Sequence, residues 1–109
     1  MSKEKKSLNY MFLLKCKKLL STCELQFIER SKNINSLTKH GLLVSDVKKC
    51  LLELRPSDYC SGPEKDRDAN GDIWVYKKII NGTQFYIKLK IVYENNKEEL
   101  KCISFHEDE

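Results

Sequence analysis

Asn81-Gly82 is the feature that most limits what this chain can become. It separates two runs, DIWVYKKII (72–80) and TQFYIKLKIVY (83–93), that are rich in β-branched and aromatic residues, and the second alternates apolar and polar positions with the period of a half-buried strand. Asn-Gly is the preferred pair for a two-residue type I′ turn, because both central positions need positive φ. A two-residue loop sets the register. Ile80 must face Thr83, which puts Lys77 opposite Tyr86, Val75 opposite Lys88 and Ile73 opposite Lys90 on one side. Trp74 then faces Leu89, Tyr76 faces Ile87 and Lys78 faces Phe85 on the other side, which reads as the core. The first side gathers Lys77, Tyr86, Lys88 and Lys90 on a solvent-facing surface, with directly opposed Cβ atoms about 5 Å apart. Crowded ammonium groups repel unless an anion sits among them, so the row suits a phosphate backbone; an ordinary solvated face of a lysine-rich protein explains the same row.

A third strand, Glu98 to Phe105 (EELKCISF), follows Glu94-Asn95-Asn96-Lys97. Its register turns on the loop, since a slip of one residue reverses every side chain. A five-residue loop pairs Val92 with Glu98, stacks Phe105 on Phe85 and Ile103 on Ile87, and leaves His106 beside Gln84 near Tyr86. A four-residue loop would put His106 on the core side and bring Lys101 to Lys88 and Lys90. The first register is preferred, because it packs aromatic on aromatic and keeps an ionisable ring outside.

A chain of 109 residues is expected to form one domain over positions 1–109 with a single modest core. Its formal net charge of +4 is compatible with a polyanionic partner without demanding one. Five widely spaced cysteines contain no CxxC pair, and MSKEKKS lacks the apolar stretch of a signal peptide, so they read as reduced thiols of a cytoplasmic protein. Cys102 with His106 is a poor metal site without a second ligand pair. No run approaches the roughly 18 apolar residues of a membrane span.

Upstream, residues Lys3 to Thr22 carry Tyr10, Leu13, Leu14, Cys16, Leu19 and Leu20 at helical spacing among lysines. Leu25 to Glu29 reads as a short edge strand. Ser31 to His40 is polar, with room for one short helical turn around Asn35 to His40, stopped at Gly41. A second clear helix runs from Ser45, its expected N-cap, to Leu54. Ser57-Asp58-Tyr59 reads as a single turn, and Cys60 to Gly71 as a long charged loop able to fold over the basic face. His40, before a glycine at a helix end, reads as structural. No glycine-rich phosphate loop, GxSxG, HExxH or internal repeat is present.

Ser57-Asp58-Tyr59, Gly62-Pro63-Glu64, Asp66, Asp72-Ile73-Trp74-Val75, Tyr86-Ile87-Lys88-Leu89 and Cys102-Ile103-Ser104-Phe105-His106-Glu107 together resemble the MqsR family of type II toxins. The resemblance implies an α+β, RelE-like small domain, an antiparallel β-sheet packed against two main helices. It also implies a bacterial endoribonuclease that cuts mRNA, needs no cofactor and is held inactive by a cognate antitoxin. The family's active-site tyrosine falls on Tyr86, and its basic residue after Ser-Phe falls on His106, where the best-known member has lysine. Two positions depart from that member: its lysine after Ser-Asp-Phe-Tyr corresponds to about Ser61, and its glutamine after Ile-Trp to Val75. Either the catalytic set is rebuilt from Lys77, Lys88, Lys65 and Arg67, or activity is altered or lost.

The expected chemistry is attack of the ribose 2′-OH on the adjacent phosphorus, with His106, Tyr86 and Lys88 catalytic and Lys77, Lys65, Arg67 and Lys90 binding single-stranded RNA. Trp74 and Tyr59 are the candidates to stack on a base, although the hairpin register places Trp74 in the core. A non-catalytic RNA- or protein-binding domain is the alternative. A DNA-binding regulator is weaker, because no basic recognition helix follows a turn.

Overall fold

The computed structural model describes residues 2–109. The fold is α+β, with three helices and a five-stranded sheet: α1 (Lys3–Thr22), β1 (Gln26–Phe27), α2 (Ser31–His40), α3 (Val44–Leu52), a 3₁₀ turn (Pro56–Asp58), β2 (Tyr59–Lys65), β3 (Asp72–Ile80), β4 (Thr83–Glu94) and β5 (Lys97–Glu107). The strand order is β1-β5-β4-β3-β2, antiparallel except that β1 runs parallel to β5.

The hairpin register is the one its turn demands. Asn81 and Gly82 sit at φ 50° and 77°, and Ile80 pairs with Thr83, Lys77 with Tyr86, Val75 with Lys88 and Ile73 with Lys90. On the inner face Tyr76, Phe85, Ile87, Leu89 and Phe105 are fully buried beneath Leu13, Leu20, Leu37, Val47 and Leu51 of the helices. Trp74 is in this core, stacked on Phe12 at 4.9 Å. Leu13, Cys16 and Leu20 form the buried stripe of α1, while Tyr10 and Leu14 are exposed. Asn9 takes the stripe's remaining place because it is satisfied there: it donates to the Pro56 carbonyl at 3.1 Å and accepts from the Tyr76 hydroxyl at 2.6 Å.

Four expectations are corrected. The segment Ser31–His40 is a complete ten-residue helix. Its inward positions are Asn33, Ser36 and Leu37, so hydrogen bonds replace most of the apolar stripe that periodicity looks for. The third helix begins at Val44, not at a Ser45 cap; the carboxylate of Asp46 accepts the Leu43 N–H at 2.8 Å and does the capping. Much of the expected loop after Cys60 is strand β2, paired with β3 through two register shifts. Its Gly62-Pro63 is tolerated because β2 is the edge of the sheet.

The fourth correction concerns β5. The turn is Asn95-Asn96, both at positive φ, with Glu94 opposite Lys97, so the four-residue spacing holds and Lys101 faces Lys90. The preferred five-residue register is wrong. Leu89 pairs with Cys102 but Lys88 pairs with Ser104, leaving Ile103 as an extra residue in a β-bulge. Beyond the bulge the parity reverses, and His106 lies opposite Tyr86 on the outer face.

Candidate active site

The bulge is held from α2. Asn33, fully buried, donates to the carbonyls of Ile28 (2.8 Å) and Ile103 (3.0 Å) and accepts the Phe105 N–H at 2.9 Å, which satisfies backbone groups on both sides of the interruption. Ser36 accepts the Glu107 N–H at 3.0 Å. Phe105 can then stay in the core against Phe85 at 5.2 Å while Ser104 and His106 flank it on the other face.

Two rungs of the sheet make the outer site. Lys77, Tyr86 and His106 form one. Ser61, Val75, Lys88 and Ser104 form the next, so the two departures from the family pattern, about Ser61 and Val75, are cross-strand neighbours on the rung of Lys88. The rings of Tyr86 and His106 stack at 5.4 Å and 22°, with the Lys88 ammonium 5.9 Å from the tyrosine centroid. Arg30, which precedes α2, reaches over β5 and donates to the Ser104 hydroxyl at 2.6 Å. Arg30, Lys32, Tyr86, Lys88, Ser104 and His106 line one groove of about 330 Å³ together with Asp108 and Glu109, the latter paired with Lys32 at 3.0 Å.

His106 is 7% exposed, and its Nδ1 lies 2.8 Å from the Glu107 carbonyl. A carbonyl can only accept, so this bond puts the proton on Nδ1 and leaves Nε2 of the neutral ring with its lone pair. Burial pushes the Tyr86 hydroxyl above its usual pKa, assisted by Cys60 and Glu64, so it remains a proton donor at neutral pH. Lys77 is 3.0 Å from the Asp108 carboxylate. That hydrogen bond raises the lysine's pKa and lowers the carboxyl's, so Lys77 stays charged but is already partnered.

Lys90 does not face solvent as the hairpin alternation suggests. It is 3% exposed, because Asp66 at 2.7 Å and the turn ending at Gly71 wrap over it. The charged segment after β2 therefore folds over the basic face, as its position implies. Lys65, at the end of β2, and Arg67, just beyond it, are exposed and line neither this groove nor the one beside it. Tyr59 packs edge-on against Trp74 and Tyr76, and its hydroxyl donates to the Gly62 carbonyl at 2.6 Å. Neither aromatic is presented to a base. His40 is a structural ring, edge-on to Phe85 at 5.0 Å and 2.7 Å from the Glu107 carboxylate.

Arg30 and Ser104 were not anticipated. Arg30 sits between a two-residue strand and a helix with an unrecognised start, where no motif marks it. Ser104 could have been found only by knowing which side of the bulge it follows.

No helix among the described residues is long and apolar enough to cross a membrane. A family model described as motility quorum-sensing regulator, toxin of MqsA, matches residues 9–107, and thus both ladders of β4, the bulge and all of α2. No curated protein and no solved structure gives a significant match. The chain belongs to the MqsR toxin family, the toxin partners in toxin–antitoxin pairs.

Proposed function

We propose that this toxin is an endoribonuclease that cuts single-stranded mRNA at the outer groove, using side chains alone. The observation that carries the reading is the orientation of His106: its Nδ1 is committed to the Glu107 carbonyl, and Nε2 is left as a base beside Tyr86 in a groove that holds Arg30 and Lys88. In the proposed step Nε2 takes the proton of the ribose 2′-OH as O2′ bonds to phosphorus. The bond from phosphorus to the 5′ oxygen breaks, and that oxygen takes a proton from the Tyr86 hydroxyl. The products are a 2′,3′-cyclic phosphate and a free 5′-OH. The phosphorane's extra charge is met by Lys88 and by the Arg30 guanidinium, which Ser104 holds in place.

Arg30 also supplies a substitute for the lysine missing near Ser61 and the glutamine missing at Val75. The cation arrives from β5's side of the same rung rather than from β2 and β3. The family match supports the toxin role and, with it, a cognate antitoxin as partner. Lys77 assists as a second-rank cation, because Asp108 already holds it.

The test is incubation of a defined single-stranded RNA with the protein in EDTA, followed by analysis of the new ends. Cyclic phosphate and 5′-OH ends support the mechanism. Ends carrying 5′-phosphate contradict it, and RNA that binds with strong salt dependence but is never cut favours the non-catalytic binding domain instead.

A further inference from the structure

Beyond the reacting groove lies a second one, of about 430 Å³, that shares Arg30 and Lys88 with it and is closed at its far side by Lys101, Lys90, Asp66 and Asp68. We propose that this second groove is a subsite for the neighbouring phosphodiester of a single-stranded RNA, with Lys101 as its cation, Arg30 on the boundary with the reacting groove, and Asp66 as a carboxylate latch that the phosphate displaces from Lys90. The inference rests on the outer face being where RNA is bound.

Successive outward residues of β4 are Tyr86, Lys88 and Lys90, and each step is about 7 Å along the strand. That is comparable to the separation of neighbouring phosphates in an extended single strand. The reacting phosphate, beside His106 and Tyr86 and held by Lys88 and Arg30, therefore puts the next one near Lys90 and Lys101, one outward step along the strand. Among the described residues, no salt bridge engages Arg30, Lys88 or Lys101, whereas Lys90 is already paired with Asp66 at 2.7 Å.

The latch is built, not incidental. Asp66 accepts from the Lys90 ammonium and from the Asp68 N–H, and its own N–H donates to the Gly71 carbonyl, so residues 66–71 close on themselves over the lysine. Gly71 is at φ 108°, and a Cβ there would lie 2.8 Å from the Lys90 side chain, so glycine is what permits the close approach. A charge held 3% exposed by one carboxylate is a cation in reserve: a phosphate that replaces Asp66 gains Lys90 without any strand moving.

The test measures binding of 2′-O-methyl RNA, which has no free 2′-OH to attack, as a hexamer and as a dinucleoside monophosphate over a salt series. For Lys101→Ala the hexamer should bind at least fivefold more weakly, with a log–log salt slope shallower by about 0.7, the value of one single-strand phosphate contact. The one-phosphate ligand should be unaffected within twofold. Asp66→Asn should tighten the hexamer and steepen the slope, a change in the direction opposite to damage. Unchanged hexamer affinity in Lys101→Ala, equal losses for both ligands, weaker binding in Asp66→Asn, or no hexamer binding by the unmodified protein would each overturn the subsite. If the unmodified protein cuts no RNA yet the hexamer pattern appears, the subsite stands and the ribonuclease reading falls; cleavage without the pattern gives the reverse.

Discussion

β4 is paired on both sides, and its two ladders differ. With β3 it keeps one register from Ile80–Thr83 to Ile73–Lys90, whereas with β5 the register shifts between Lys88 and Leu89. The unbroken ladder keeps one face inward throughout and supplies most of the sheet's share of the core. The broken one carries core and candidate chemistry at once, because Ile103 lets Cys102 and Phe105 both face inward while Ser104 and His106 face outward. An interruption that would expose polar backbone in a lone sheet is stable here because Asn33 of α2 occupies it.

Substitutions that separate the two ladders should therefore separate stability from activity. Phe105→Ala has the largest expected cost, roughly 3–5 kcal/mol of unfolding free energy in a denaturant titration, because a fully buried ring against Phe85 is lost. Asn33→Ala should cost about 1–3 kcal/mol, and it should also lower RNA cleavage in conditions where the variant is still fully folded, since the bulge that aims His106 is loosened. Equal activity of that variant per folded molecule would show that the bulge holds itself. Tyr76→Phe, on the regular ladder, removes the hydroxyl that donates to Asn9 at 2.6 Å and should cost about 1 kcal/mol without altering cleavage.

The smallest effect is the pH dependence. Glu107 is held below the ordinary carboxyl range by Lys39 and His40, Asp108 by Lys77 and Gln84, and Asp66 by Lys90. A folded-state pKa that is lowered contributes stability above the unfolded value and loses it as pH falls through the folded one. Melting temperature should thus be level near neutrality and decline below about pH 4, with a gentler decline in Glu107→Gln. A melting temperature that rises on acidification would contradict these pairings.

The difference between the ladders also explains what could be read from sequence. Asn81-Gly82 admits one turn geometry, so every β3–β4 partner, the core role of Trp74 and the outward set Lys77, Tyr86 and Lys88 follow from it. Asn95-Asn96 is an equally tight turn, but the bulge eight residues later is not written in local residue preferences. It depends on Asn33, in a helix whose inward face is too polar to be recognised by apolar periodicity. The polar inner face of α2 and the bulge in β5 thus meet in a single contact at Asn33, whereas the register before the bulge is set by the Asn95-Asn96 turn alone. His106 nonetheless ends beside Tyr86, because the four-residue turn and the extra residue offset one another in parity.

The most direct test of the account is the RNA cleavage rate of His106→Ala against the unmodified protein, in EDTA, with both shown to be folded by near-ultraviolet circular dichroism. A fall of about a hundredfold or more is expected, far beyond what the modest loss of stability from removing a buried ring explains while the variant is still folded. A rate within twofold of the unmodified protein would contradict it, because the base would then have to lie elsewhere than the face that the bulge creates.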